Sequence, residues 1–365
     1  MKPAHGRRDA KLASAMQAHP IHRLLTALLV ALGMTGPACP GIADDGASLV
    51  ALELAFDRPI DAAVAPVVVA STRGLFRAEG LNVATAIATD PPDAIARVAS
   101  GKSQIGLADL NDLIRYRDRA GAPPVKAVFV LFDTAGYAFI ARKSRGITAL
   151  ADLEGKAIGA ADGDLSIGFW PALAKRNGLK LKSVKVERVS PAVREPMLSA
   201  GQIDAISGLS YRSAIDLRNR GIPADDIAVL RFADYGCAAY GKVLTVNPAF
   251  AAEKPAAVRA FVRAVIAGLR FAALKPAQAV DEVLTRMENG SRAEELERLR
   301  AVLGDNILTG EVRHNGIGGI DPVRFEASLD QIADDFKFRN RPALADIFDD
   351  SFLPARAERK ITRAE

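Results

Sequence analysis

Gly74-Leu75-Phe76-Arg77-Ala78-Glu79-Gly80-Leu81-Asn82-Val83 is the stretch that decides the fold. An apolar strand, Leu49–Phe56, and a helical run, Pro66–Arg73, precede it. A second strand-like segment, Val83–Ala88, follows, then a helix closing on Ala99-Ser100-Gly101-Lys102. A third strand, Ile105–Ala108, runs straight into Asp109. Strand, helix, strand, helix, strand in this order predicts parallel strands that all end at one sheet edge, where open α/β sheets bind small molecules.

The alternation continues outward. A helix over Leu110–Ala120 leads to the strand Val125–Leu131 and an extended segment, Tyr137–Arg142. A second unit opens with Ala157–Ala160 and passes through Phe169–Asn177, Ser183–Val189 and Val193–Ser199 to Ile227–Phe232. The chain then returns through Tyr240–Val246. Gly101, Gly155 and Gly201 read as helix C-caps. From Pro255, placed as a first helical residue, helices follow over Ala256–Leu274, Ala277–Met287, Arg292–Leu303 and Pro322–Phe336. The expectation is an α/β protein of two lobes, each a mostly parallel sheet flanked by helices. Tyr137–Arg142 and Lys242–Asn247 are the expected two-strand hinge. Lobe 1 is expected over 44–141 plus 247–365, with the helical C-terminal part packed on it, and lobe 2 over 142–246.

Residues 1–43 read differently. Arg23 precedes the short apolar run Leu24–Leu32, and Gly41-Ile42-Ala43 offers a small-residue exit, the pattern of a secretory signal peptide. Met16 is an alternative start, and Cys39 an alternative lipidation point. Lys2, Arg7, Arg8, Lys11 and Arg23 against Asp9 give this segment +4 of the chain's +5, so the remainder is near +1. The basic balance therefore implies no nucleic-acid or membrane partner. Beyond residue 43 the sequence holds one cysteine, Cys237, and one histidine, His314, too few for an internal disulfide or a soft-ligand metal site.

Several pieces in this order carry a family resemblance: Gly74-Leu75-Phe76 with Gly80-Leu81, Gly101 with Gly106, Asp152-Leu153-Glu154-Gly155-Lys156-Ala157-Ile158-Gly159, and Ala200-Gly201-Gln202-Ile203-Asp204-Ala205. The chain resembles periplasmic solute-binding proteins of ABC importers, in the branch that takes nitrate, sulfonates, taurine and thiamine-pyrimidine precursors. Asp234-Tyr235-Gly236 with Tyr240-Gly241 resembles the thiamine-precursor subgroup. The resemblance implies a type II periplasmic binding protein fold, a periplasmic monomer, and partnership with an inner-membrane permease and its cytoplasmic ATPase. Members that bind or make the thiamine pyrimidine place Asn-His in the first loop, where this chain has Ala63-Val64. The synthase of this family uses an active-site histidine and a pyridoxal-phosphate lysine. No enzyme, catalytic residue, cofactor or metal is therefore expected.

Ligand contacts are expected at strand ends and helix starts. Asp57 either meets a cationic or hydrogen-donating ligand or pairs with Arg58. Asp109 either caps the next helix or faces the cleft. Gly163, Asp164 and Ser166 lie at a helix N-terminus suited to anions, yet Asp162 and Asp164 would repel one. Tyr211 and Tyr235 offer flat faces with a polar handle, and Asp133 follows the strand ending at Leu131. These residues favour a pyrimidine-like or other planar nitrogenous solute. Alkyl or aryl sulfonates, aromatic carboxylates and a ligand-sensing role are the alternatives.

Overall fold

Short runs rich in valine, isoleucine, leucine and alanine form most strands of the computed structural model, which describes residues 48–361, the exposed edge strand Lys185–Arg188 excepted. The strands are β1 (Val50–Phe56), β2 (Leu81–Ile87), β3 (Ile105–Asp109), β4 (Lys126–Val130), β5 (Tyr137–Arg142), β6 (Ala157–Ala160), β7 (Lys185–Arg188), β8 (Ala205–Leu209), β9 (Ile227–Arg231) and β10 (Lys242–Val246). They build two five-stranded sheets, ordered β2-β1-β3-β10-β4 and β7-β6-β8-β5-β9. β1 pairs in parallel with both β2 and β3, and β6 with both β7 and β8. One strand in each sheet runs against the rest: β10 between β3 and β4, β5 between β8 and β9. β5 is the strand by which the chain enters the second sheet, and β10 the one by which it returns to the first. The α/β architecture of two sheets flanked by helices is as expected.

The two expected hinge strands differ from expectation in one respect. They do not pair with each other; β5 completes the second sheet and β10 the first. The chain crosses instead through the short segments just before them, which bond together. The Gly241 amide donates to the Phe132 carbonyl at 2.9 Å, the Phe132 amide to Lys242 at 2.9 Å, and the Ala135 amide to Ala239 at 3.0 Å. Gly241 eases that approach, because an added Cβ would lie 3.0 Å from the Phe132 Cβ and 3.1 Å from the Ala135 Cα, closer than ordinary contact.

The long helix Pro255–Leu274 shows why the first lobe closes. Val258, Phe261, Val262, Val265, Ile266 and Leu269 recur at helical spacing, and all are buried. This stripe packs on the helix Ala65–Thr72, and Phe261 stacks on Phe76 at 4.5 Å. Gly268 lets the two helices meet: a Cβ there would sit 2.1 Å from the Pro66 carbonyl oxygen.

The C-terminal part does not pack on the first lobe alone. Phe325, Leu329 and Ile332 of the helix Pro322–Ala333 share one core with Phe169, Trp170 and Leu173 of the second lobe's helix Leu165–Arg176. Arg324 on the same helix binds both crossing segments. It donates to the Asp133 carbonyl at 2.6 Å and to the Ala238 carbonyl at 3.0 Å, and lies 4.0 Å from the Tyr240 ring centroid. Among the described residues no helix is long and apolar enough to cross a membrane. The expected signal peptide lies outside the described residues.

Candidate functional site

A cleft of about 770 Å³ opens between the two sheets at the edge where the parallel strands end. Asp57 follows β1, Asp109 ends β3, Phe132 follows β4, Asp164 follows β6, and Tyr211 follows β8. Five loops from both lobes thus meet at one cavity, as strand-end loops of α/β sheets do.

The antiparallel strands add residues that the sequence reading missed. Lys242, the first residue of β10, stands beside Asp109 in the ladder, and Tyr137, the first of β5, stands beside Leu209. An antiparallel strand begins where its parallel neighbours end, so its first side chain reaches the same cleft. Lys242 donates to both Asp57 oxygens at 2.7 and 2.6 Å, and both side chains are almost wholly buried. Asp57 also accepts from Arg58 at 3.4 Å. Tyr137 donates to Asp109 at 2.9 Å, and Asn111 bridges Asp109, Tyr137 and the Tyr240 carbonyl. This bond joins the two lobes across the cleft floor. Burial pushes the Asp109 carboxyl up, against the pull of its Asn111 and Tyr137 hydrogen bonds.

Six of the expected contacts line the cleft: Asp57, Arg58, Asp109, Gly163, Asp164 and Tyr211. Tyr211 meets Phe132 edge-on at 5.9 Å, and the bare face of Gly136 makes room for its ring. Its hydroxyl has no hydrogen-bond partner among the described residues, and burial raises its pKa well above the tyrosine range.

Three expected contacts lie elsewhere. Asp133 and Tyr235 follow β4 and β9, and both strands are sheet edges. Neither side chain lines the cleft, although Phe132, the neighbour of Asp133, does. Asp133 accepts from Thr309 at 2.6 Å and from Arg324 at 3.2 Å beneath the C-terminal helices. Burial pushes its carboxyl up while Arg324 pulls it down. The Tyr235 carbonyl holds Asn177 at 3.1 Å. Ser166 is buried behind Asp164, to which its hydroxyl donates at 2.7 Å. Ser207 donates to the other Asp164 oxygen. The Asp164 carboxylate, accepting from the Ser166 amide and from both serines, thus itself occupies a helix start that was expected to suit an anion.

The cleft's charge is acidic. Asp57, Asp90, Asp109, Asp112, Asp162, Asp164, Glu195 and Asp216 line it against Arg58, Arg194, Arg212 and Lys242. Every one of those cations already faces a carboxylate. Arg194 lies 2.9 Å from Glu195, and Arg212 lies 3.8 Å from Asp61 and 3.7 Å from Asp216. Trp170 packs in the core, edge-on to Phe139 at 5.1 Å. Burial pushes the Cys237 thiol up to about 11, which keeps it protonated. His314, on the helix Gly310–Asn315, does not line the cleft. The cleft's lysine, Lys242, is engaged by Asp57, so the histidine and cofactor lysine tied to the synthases by resemblance are not assembled here.

A family model described as NMT1/THI5 like matches residues 61–279. A curated relative from Schizosaccharomyces pombe, named 4-amino-5-hydroxymethyl-2-methylpyrimidine phosphate synthase, is 27% identical over 253 residues, covering 66% of this chain and 72% of the relative. The periplasmic aliphatic sulphonate binding protein SsuA from Escherichia coli superposes with a TM-score of 0.63 at 14% identity, covering 82% of this chain and 97% of that one. The desulfurization enzyme DSZB superposes at 0.55 with 15% identity, covering 83% and 97%. The expected absence of enzymatic activity is thereby corrected: curated relatives bear the name of a synthase, and the same fold serves a binder and an enzyme.

Proposed function

The chain belongs to the NMT1/THI5-like family, and from that premise we propose that its cleft captures a small planar nitrogenous compound of the pyrimidine class. One observation carries the reading. The cleft pairs an aromatic corner, Tyr211 on Phe132, with eight carboxylates whose four cationic neighbours are all engaged. Such a lining offers hydrogen-bond acceptors and a stacking face to a ring bearing N–H donors. It gives a sulfonate no free cation, which weighs against the cargo named for the sulphonate-binding neighbour. Asp57, Arg58, Asp109, Gly163, Asp164 and Tyr211 are the proposed contacts within it.

The lobes close on the solute, and binding shifts an open–closed equilibrium. Exported to the periplasm, the protein delivers its cargo to a membrane permease driven by a cytoplasmic ATPase. Two features support that role: the sulphonate-binding neighbour covers 82% of this chain, and the first 43 residues have the pattern of a signal peptide. The second reading is chemical conversion of a pyrimidine-related substrate, favoured by the name of the sequence relatives.

Incubation of the protein with a 4-aminopyrimidine, followed by denaturation and mass spectrometry of the released ligand, tests the capture role. Stoichiometric recovery of unchanged compound supports it. A product mass, or a mass added to the protein, establishes the second reading. No retained pyrimidine at all refutes both.

A further inference from the structure

Asp112 stands apart from the other carboxylates of the cleft. Asp57 is held by Lys242, Asp109 by Tyr137, Asp164 by Ser166 and Glu195 by Arg194. The outer acids are also engaged: Asp90 caps the helix Pro91–Ala99, Asp162 pairs with Arg188 at 3.2 Å, and Asp216 faces Arg212. Asp112 has neither an ion-pair nor a hydrogen-bond partner among the described residues, and only charges at longer range act on it. It sits in the first turn of the helix Leu110–Arg117, three residues after Asp109, so both carboxylates fall on one helix face. Both line the cavity.

Withdrawing an unpaired carboxylate from water costs free energy, and proteins compensate by pairing it or keeping it protonated. Burial and the neighbouring Asp109 push Asp112 up to about 7, with Arg115 opposing. The lining holds no uncommitted cation that could turn to Asp112. What the cavity lacks is a positive charge on the ligand side of this residue.

We propose that Asp112 reads the charge of the ligand, selecting a planar ring that carries a cationic N–H donor group, such as an amidinium or a protonated aminoheterocycle, over its neutral isostere. The inference rests on the reading of this cleft as the site of a planar nitrogenous ligand and deepens it by assigning a charge. A cation beside Asp112 restores pairing in a partly desolvated site, where a unit charge acts more strongly than in water.

The test is calorimetric titration at pH 8 with pyrimidine-2-carboxamidine, a cation, and pyrimidine-2-carboxamide, its neutral isostere. Each is titrated into wild type and into Asp112→Asn. The wild type is expected to prefer the amidine by about tenfold or more, roughly what a single well-placed charge contact supplies. Asp112→Asn should erase that preference and leave amide affinity within about threefold. The substitution removes an unpaired, half-buried charge without changing side-chain size, and a melting curve verifies that the variant folds. Equal wild-type affinities, or an Asn variant that keeps the preference or loses both ligands equally, would overturn the inference and leave the pyrimidine reading standing. Binding of neither compound to wild type would overturn both.

Discussion

Lys242→Met should destabilise this protein more than any other single change in the cleft. Lys242 and Asp57 are each almost wholly buried and meet at 2.6 Å. Removing one member of a buried pair strands the other, at a cost of about 3–5 kcal/mol. Arg58, 3.4 Å from the same carboxylate and about one-third exposed, offsets part of that loss, so the lower end, about 3 kcal/mol, is expected. At about 2.1 cal/mol/K per residue over residues 48–361, each kcal/mol is worth about 1.5 °C, so Tm falls by about 4–5 °C. Differential scanning calorimetry at pH 7 reads the shift. The double variant Lys242→Met/Asp57→Asn should recover most of it, because the stranded charge is gone and only a neutral amide remains. A loss under about 1 kcal/mol for Lys242→Met alone, or a double variant no more stable than the single, refutes this account of the pair.

Other outcomes follow from the same structure. Asp112 is pushed up to about 7 in the fold, against about 3.9 in an unfolded chain. The native state therefore holds the extra proton between those values, and stability declines as pH rises from about 4 to about 7. Urea midpoints of Asp112→Asn should lose that part of the pH slope relative to wild type. Gly268→Ala drives a methyl into the Pro66 carbonyl oxygen and should cost about 1–3 kcal/mol or more in thermal denaturation, since backbone rather than a flexible side chain must yield. Arg324→Leu removes the donor that spans Asp133 and the Ala238 carbonyl. It leaves a buried carboxylate behind and should lower stability by about 2–3 kcal/mol. Faster amide exchange at Ala135 and Gly241, whose hydrogen bonds join the crossing segments, would mark that loss as a loosened hinge.

Much of the fold was legible because strands and helices alternate with clear punctuation. The run Gly74–Val83 and the helix beginning at Pro255 lie where local spacing put them. What local spacing does not carry is which side chains of a strand-end loop face the cleft, or how the strands pair. Asp133 and Tyr235 looked equivalent to Asp57 and Tyr211, since each follows a strand. Yet Asp133 is held by Thr309 and Arg324 beneath the C-terminal helices while its neighbour Phe132 lines the cleft, and Tyr235 stays outside it. Lys242 and Tyr137 were missed for the complementary reason. Each opens an antiparallel strand, and only the ladder shows that its first residue stands at the shared edge. The helix Pro322–Ala333 was expected on the first lobe, but its apolar face has no label for the lobe it covers, and it lies against Trp170 in the second.

Isothermal titration of the protein with a 4-aminopyrimidine and, separately, with an alkanesulfonate tests the central claim most directly. A saturable one-site isotherm for the pyrimidine, lost in Tyr211→Ala, with no heat from the sulfonate, is the predicted result. Saturable sulfonate binding with no response to the pyrimidine would contradict it.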